Sequence, residues 1–312
     1  MPNTQYQEAK GPGSGAVTSM MRTPQPPHGD YMRPSNLHEL LTFLDRGSAS
    51  VLAGGTDLVV MRAEGMVDRA YDIVDIKDVS ELRGISRGAD GTITIGAATC
   101  LRELAKTTVI APNAITDGAA LVGGWQTRTR GTIGGNICRA SPAGDTLAGV
   151  LATNAQLELV SRTSTRVVPG QGFFTGPGRT IREPNELLTR IIVPASPGGS
   201  AYQRFTYRNA MDLAVVGVAA YVEIEDGRCI AARVALSAAA ATPVLAPDAG
   251  NALVGTELDE ACIAAAAQLV LNTATPIDDG RGTRAHRCTV LPAIARRAIG
   301  VALERALGGH QR

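Results

Sequence analysis

The sequence predicts an α+β chain built from two or three compact units. Three observations carry that reading. A helix, a short apolar strand and a glycine pair follow one another between residues 35 and 55. Strand pairs with polar turns recur near 84–96 and 155–168. After about residue 200 the texture changes to one long hairpin followed by alanine-rich helices. At 312 residues the chain is long enough for such units to bury a sizeable core.

Taken in order, residues 1–30 read as a flexible tail. Pro2, Gly11, Pro12, Gly13, Pro24, Pro26, Pro27 and Gly29 leave little room for regular structure. No apolar segment follows a basic start, so no secretory leader is expected, and a cytoplasmic location is. Pro34 and Ser35 open a helix, with Ser35 as the expected cap and Leu37, Leu40, Leu41 and Leu44 on one face. Gly47 stands where a helix stop belongs. Residues 50–53 form a strand that runs into Gly54-Gly55, and residues 72–76 form another. A hairpin over 84–96 turns at Ala89-Asp90-Gly91. Helices are expected at 101–105 and 114–122. Residues 125–130 lead into a second glycine stretch, followed by a buried helix at 146–152.

Residues 155–160 and 165–168 read as a second hairpin, and 186–193 as a strand closed by Pro194. The segment 195–200, Ala-Ser-Pro-Gly-Gly-Ser, reads as a linker. Beyond it come strands at 215–224 and 229–236 joined at Asp226-Gly227, a strong hairpin turn. Helices near 261–274 and 291–307 close the chain. The linker sets off 200–312 as a separate α+β unit.

Two glycine stretches organise this layout. One is Ala53-Gly54-Gly55-Thr56-Asp57; the other is Gly131-Thr132-Ile133-Gly134-Gly135-Asn136, running on to Ser141-Pro142-Ala143-Gly144-Asp145. Glycine pairs permit positive φ and a close approach to the backbone. Consecutive N–H groups then converge on an anion. Two such cradles suit a long ligand with a diphosphate in its middle. On this reading Gly135→Val abolishes binding, because a β-branched side chain disfavours positive φ and fills the phosphate's space.

Composition removes other classes. The formal net charge of +1 and the scarcity of aromatics (4%) give no footprint for nucleic acid. No apolar run approaches a membrane span. Cys100, Cys138, Cys229, Cys262 and Cys288 are scattered and include no CxxC pair, so neither a zinc site, an iron–sulfur cluster nor a disulfide framework is expected. Free thiols fit a reducing compartment. His28, His38, His286 and His310 do not cluster, and no catalytic side chain is assigned.

Together with Leu58, Ala140-Ser141-Pro142, Glu186-Leu187-Leu188, Ile192-Val193-Pro194, Arg204-Phe205 and Arg208-Asn209-Ala210-Met211-Asp212, these stretches resemble the flavin subunit of the molybdenum hydroxylases. Those are the relatives of carbon monoxide dehydrogenase and xanthine dehydrogenase. The resemblance runs from about residue 31 to the C-terminus in the family's motif order. It implies two small α/β subdomains, 31–88 and 89–196, that clasp FAD, and a C-terminal α+β domain at 200–312 with a small antiparallel sheet and helices.

Carried over by position, the resemblance implies cofactor contacts from Ala53, Gly54, Gly55, Thr56, Asp57, Leu58, Thr132, Ile133, Gly134, Gly135 and Asn136. Asp145 would accept hydrogen bonds from a sugar or adenine group, Leu188 would pack near the cofactor, and Arg204 would set a cation near the flavin ring. With no His or Cys in a family-type attachment position, the FAD is expected to be non-covalent. The implied partners are a small iron–sulfur subunit and a large subunit with the molybdenum cofactor, in a dimer of heterotrimers. Electrons would come from the iron–sulfur clusters and leave to an external acceptor. The rival readings are a self-contained flavin-dependent oxidoreductase and a flavin-free scaffold subunit. Thr129 stands where many relatives carry Asn, and position 57 varies between branches; Arg128, Arg130 and Arg139 crowd the second stretch, either to neutralise phosphate or as solvated surface charge.

Overall fold

Residues 29–308, apart from residue 48, are described by a computed structural model. The expected tail lies outside the described residues except for Gly29 and Asp30. The chain begins with β1 (Tyr31–Met32), α1 (Leu37–Leu44), β2 (Ala49–Leu52), α2 (Leu58–Ala63) and β3 (Asp72–Asp75). These strands form a parallel sheet in the order β1-β3-β2. Parallel pairing makes β2 and β3 leave the sheet on the same side, so the loop Gly54–Asp57 emerges beside Ile76 and Lys77. Asn36, not Ser35, caps α1: its side chain accepts from the Glu39 N–H at 2.9 Å. Ser35 instead donates its N–H to the Glu39 carboxylate at 2.8 Å. Leu40, Leu41 and Leu44 are buried in one cluster with Val74, Ile76 and Leu82.

Next come β4 (Ile85–Arg87), β5 (Ile93–Gly96), α3 (Leu101–Lys106), α4 (Ala114–Leu121), α5 (Trp125–Arg130), α6 (Ile133–Arg139) and α7 (Leu147–Ala152). They are followed by β6 (Gln156–Val160), β7 (Thr165–Pro169), the small hairpin β8 (Phe174–Gly176) and β9 (Arg179–Thr180), and β10 (Leu187–Val193). The sheet runs β4-β5-β10-β6-β7 and is antiparallel throughout. The last strand in sequence, β10, takes the central place, and its apolar residues Leu187, Leu188, Ile191 and Val193 are buried. The second glycine stretch, expected as an irregular loop, is the first turn of α6. Glycine is a poor helix former, so sequence alone argued against this; capping by Thr132 and contacts to the β5 exit hold it.

The C-terminal part contains β11 (Gly199–Phe205), β12 (Val216–Glu225), β13 (Arg228–Ser237), β14 (Val244–Leu245), α8 (Pro247–Asn251), α9 (Glu260–Leu269) and α10 (Arg284–Ala306). Its antiparallel sheet runs β11-β12-β13-β14. β11 begins inside the expected linker, at Gly199. α10 starts seven residues before the expected 291 (284 against 291) and carries Pro292 inside it; a proline reads in sequence as a first-turn residue, which misplaces the start. Side chains alternate along β12. Val218, Ala220 and Val222 join the core formed with α9 and α10. Ala219 and Tyr221 join the core of the preceding unit. The sheet is thus covered by α10 on one face and by α4 and α7 on the other. Two polar clamps tie the layers together: Arg305 of α10 donates to Asp117 of α4 at 2.6 and 2.9 Å, and Arg233 Nε of β13 donates to the Ala152 carbonyl of α7 at 2.7 Å. Among the described residues no helix is long and apolar enough to cross a membrane.

Candidate cofactor site

The two glycine stretches meet. Gly54 lies so close to the Arg130 carbonyl and Gly131 that a Cβ on it would overlap them. The Thr56 hydroxyl faces Gly131. From opposite ends of the chain's first half, the loops form one groove wall, with Thr56, Asp57 and Gly135 exposed on it.

Their backbones are used differently. Among the described residues no hydrogen bond engages the N–H groups of Gly54, Gly55, Thr56 or Asp57. Gly55 adopts φ 76°, a conformation that L residues rarely take. Unengaged, consecutive N–H groups on an exposed turn suit an anion such as a diphosphate. In the second loop the N–H groups already have acceptors. Ile133 donates to Thr99 O at 3.1 Å, Gly134 to Ala97 O at 2.8 Å, and Asn136 to Thr132 O at 3.0 Å. Gly135 donates to Thr132 Oγ1 at 3.1 Å. Gly134 and Gly135 sit in helical backbone, so the expected positive φ belongs to Gly55 and not to them. At Gly135 the argument from φ for a valine substitution therefore fails.

Gly134 is explained by packing. A Cβ there would lie 2.6 Å from the Ala97 side chain and 2.7 Å from its carbonyl. Ala97 is itself positioned by β10. The register of β10 shifts between Leu188 and Arg190, and the Thr189 carbonyl accepts from the Ala97 N–H at 2.9 Å. Leu188 and Ile133 are fully buried in the core beneath this arrangement. What loop two offers the groove is side chain: Asn136, whose Oδ1 accepts from the Thr146 hydroxyl at 2.6 Å and whose amide nitrogen has no partner among the described residues.

Between the loops lies a cavity of about 210 Å³, lined by Ala53 and Thr132 and by Lys77, Arg83, Arg130 and Glu103. Lys77 is itself paired with Asp75 at 2.7 Å, so Arg83 and Arg130 against Glu103 supply the net positive charge that suits an anionic ligand. Lys77 and Arg83 were not singled out from sequence. The signal was available: Lys77 follows β3, which pairs with β2 and so ends beside the first glycine pair.

Asp145 and Arg204 come together elsewhere. Arg204 donates to Asp145 Oδ2 at 2.6 Å, and the Tyr202 hydroxyl donates to Oδ1 at 3.0 Å. Both members of the ion pair are about 95% buried in their side chains (5% and 4% exposed). Tyr202 and Arg204 share one face of β11 by the two-residue period, a relation legible in sequence but passed over. Burial pushes the Asp145 carboxyl up, against the pull of Arg204 and Tyr202. Burial and then the Asp145 charge hold the Tyr202 phenol well above its ordinary range. The expected sugar contact of Asp145 and the flavin-side charge of Arg204 are thus already engaged with each other. The pair ties the turn after α6 to the C-terminal sheet.

Two family models cover the chain. The FAD binding domain in molybdopterin dehydrogenase matches residues 24–196, and the CO dehydrogenase flavoprotein C-terminal domain matches 200–302. The chain belongs to this family of flavoprotein subunits. As a member of the FAD-binding family of molybdopterin dehydrogenases, it is 32% identical to the xanthine dehydrogenase FAD-binding subunit of Escherichia coli O157:H7 over 287 residues, 90% of this chain and 98% of that one. It is also 32% identical to the carbon monoxide dehydrogenase medium chain of Afipia carboxidovorans, over 89% and 97% of the two chains. Among solved structures, carbon monoxide dehydrogenase from Hydrogenophaga pseudoflava superposes with a TM-score of 0.84 at 30% identity, covering 90% of this chain and 99% of that one. Quinoline 2-oxidoreductase from Pseudomonas putida 86 gives 0.83 at 29%, with the same coverage.

Proposed function

We propose that this flavoprotein is the FAD-binding, electron-transferring subunit of a molybdenum-containing dehydrogenase. The single observation that carries the reading is the run of unengaged N–H groups from Gly54 to Asp57 beside a cation-lined cavity. It is a site that fits a dinucleotide diphosphate, in a chain whose relatives are named for FAD binding. FAD supplies the redox chemistry when bound, accepting electrons from iron–sulfur centres and releasing them to an external acceptor. The chain's own residues bind and orient it. The N–H groups of Gly54–Asp57 would take the diphosphate, Thr132 and Asn136 would bound the groove from the other loop, and Ile133 and Leu188 support it from the core beneath.

The cofactor is held without a covalent link. The partners are a small iron–sulfur subunit and a large molybdenum subunit, in a heterotrimer that pairs about a two-fold axis in the cytoplasm. The two units built on the β1-β3-β2 sheet and on the β4-β5-β10-β6-β7 sheet clasp the cofactor, with β4 (Ile85–Arg87) counted in the second, and 200–312 braces them.

Purification of the native complex tests this. Two further chains, iron, molybdenum and yellow flavin are expected to co-purify, with the flavin released by acid precipitation. A fully active monomer of this chain alone, or a complex with no flavin, overturns the proposal.

A further inference from the structure

The first loop contains a charge conflict. Asp57 stands at the end of the four unengaged N–H groups, exposed, and its carboxylate repels a diphosphate drawn to them. The cation that reaches it comes from the other loop. Arg139 Nε lies 3.5 Å from Asp57 Oδ1. Arg139 is the last residue of α6, one turn beyond Asn136 and on the same helix face as Asn136 and the Thr132 cap.

This ion pair is incomplete. Nε of Arg139 is buried yet has no hydrogen-bond partner among the described residues, an unfavourable arrangement until an acceptor arrives. The guanidinium lies over Gly178. Gly178, at φ 70°, leaves just enough room for Nη1, which lies 3.3 Å from where a Cβ would stand. The Gly178 N–H is bonded to the Ala140 carbonyl at 3.0 Å, which fastens the β8–β9 hairpin to the end of α6. A donor-rich cation at the seam of the two loops, making no hydrogen bond among the described residues, has the form of a phosphate-binding group.

We infer that Arg139 is a further cofactor-binding residue, which donates to the diphosphate of FAD and offsets the charge of Asp57. The inference rests on the FAD reading above. It assigns a role to a side chain that the glycine motifs do not include.

The test uses the assembled complex, stripped of flavin and titrated with FAD and with riboflavin, which has no phosphate. Arg139→Gln is expected to weaken FAD by about 10- to 100-fold, the range for losing a charge-assisted hydrogen bond, and to leave riboflavin unchanged. Asp57→Asn added to Arg139→Gln is expected to recover part of the FAD affinity, because the repulsion it leaves behind is removed. Unchanged FAD affinity in Arg139→Gln overturns the inference. So does an equal loss for both flavins, which marks a purely structural role, and a double variant no tighter than the single one overturns the charge offset. A wild-type complex with affinity for neither flavin fails the FAD reading itself, which is a different outcome.

Discussion

The two glycine loops look alike in sequence and do different work. Gly54–Asp57 keeps its N–H groups free and takes positive φ at Gly55. Thr132–Asn136 is the start of a helix whose N–H groups are bonded to Thr99, Ala97 and Thr132. On the proposed reading the first loop receives the anion, whereas the second is a packing element that brings its neighbours to it. A glycine pair therefore signals close approach without saying what approaches: at Gly54 and Gly134 it is another strand or loop of the same chain.

Substitution separates the two roles. The largest effect is expected at Gly54→Ala. Its Cβ overlaps the Arg130 carbonyl, which cannot yield as a flexible side chain would. The loops must part, and the complex is expected to be isolated without flavin; retention of stoichiometric flavin contradicts the seam. Arg204→Leu follows. It leaves Asp145 buried without its cation, a change of about 3–5 kcal/mol in stability. Urea unfolding of this variant, with Asp145→Asn added to restore part of the loss, measures the tie between the turn after α6 and the C-terminal sheet.

Gly134→Ala is predicted to lower stability by about 1–3 kcal/mol through overpacking against Ala97. The folded fraction is expected to keep its flavin. Loss of flavin at unchanged stability would place the anion at loop two and reverse the comparison.

The smallest effect concerns pH. Glu186 precedes β10, and Arg166 binds its carboxylate at 2.6 and 2.8 Å. That hydrogen bond, outweighing burial, holds the Glu186 carboxyl below its ordinary value of 4.5. The folded state thus binds its proton less tightly than the unfolded state. The stabilisation is complete above pH 4.5 and is lost as pH falls through the lower folded value. Its size is about 1 kcal/mol or less, because Arg166 is partly exposed. Since β10 holds Ala97 and Ala97 holds Gly134, protection of the Gly134 amide, taken against its intrinsic exchange rate at each pH, is expected to fall in that acid window, and Glu186→Gln is expected to remove that fall. Exchange at Gly54–Asp57 should be fast throughout in the flavin-free chain.

By itself the sequence determined the order of the elements, since strand alternation, leucine spacing and the Asp226-Gly227 turn are local and persist in the fold. It also marked both glycine loops, because only a residue without a side chain tolerates such contacts. Tertiary structure decided what those loops contact. Whether an N–H is free or bonded depends on partners far along the chain, such as Ala97 and Thr99 for loop two, and Arg130 pressed on Gly54. The same holds for Asp145, Tyr202 and Arg204. Their charges and hydroxyl are visible in sequence, but a buried network forms only when β11 is laid across the turn that carries Asp145. Local chemistry is written in neighbouring residues; the choice of acceptor is made by elements far along the chain, as Ala97 is for Gly134 and Asp145 for Arg204.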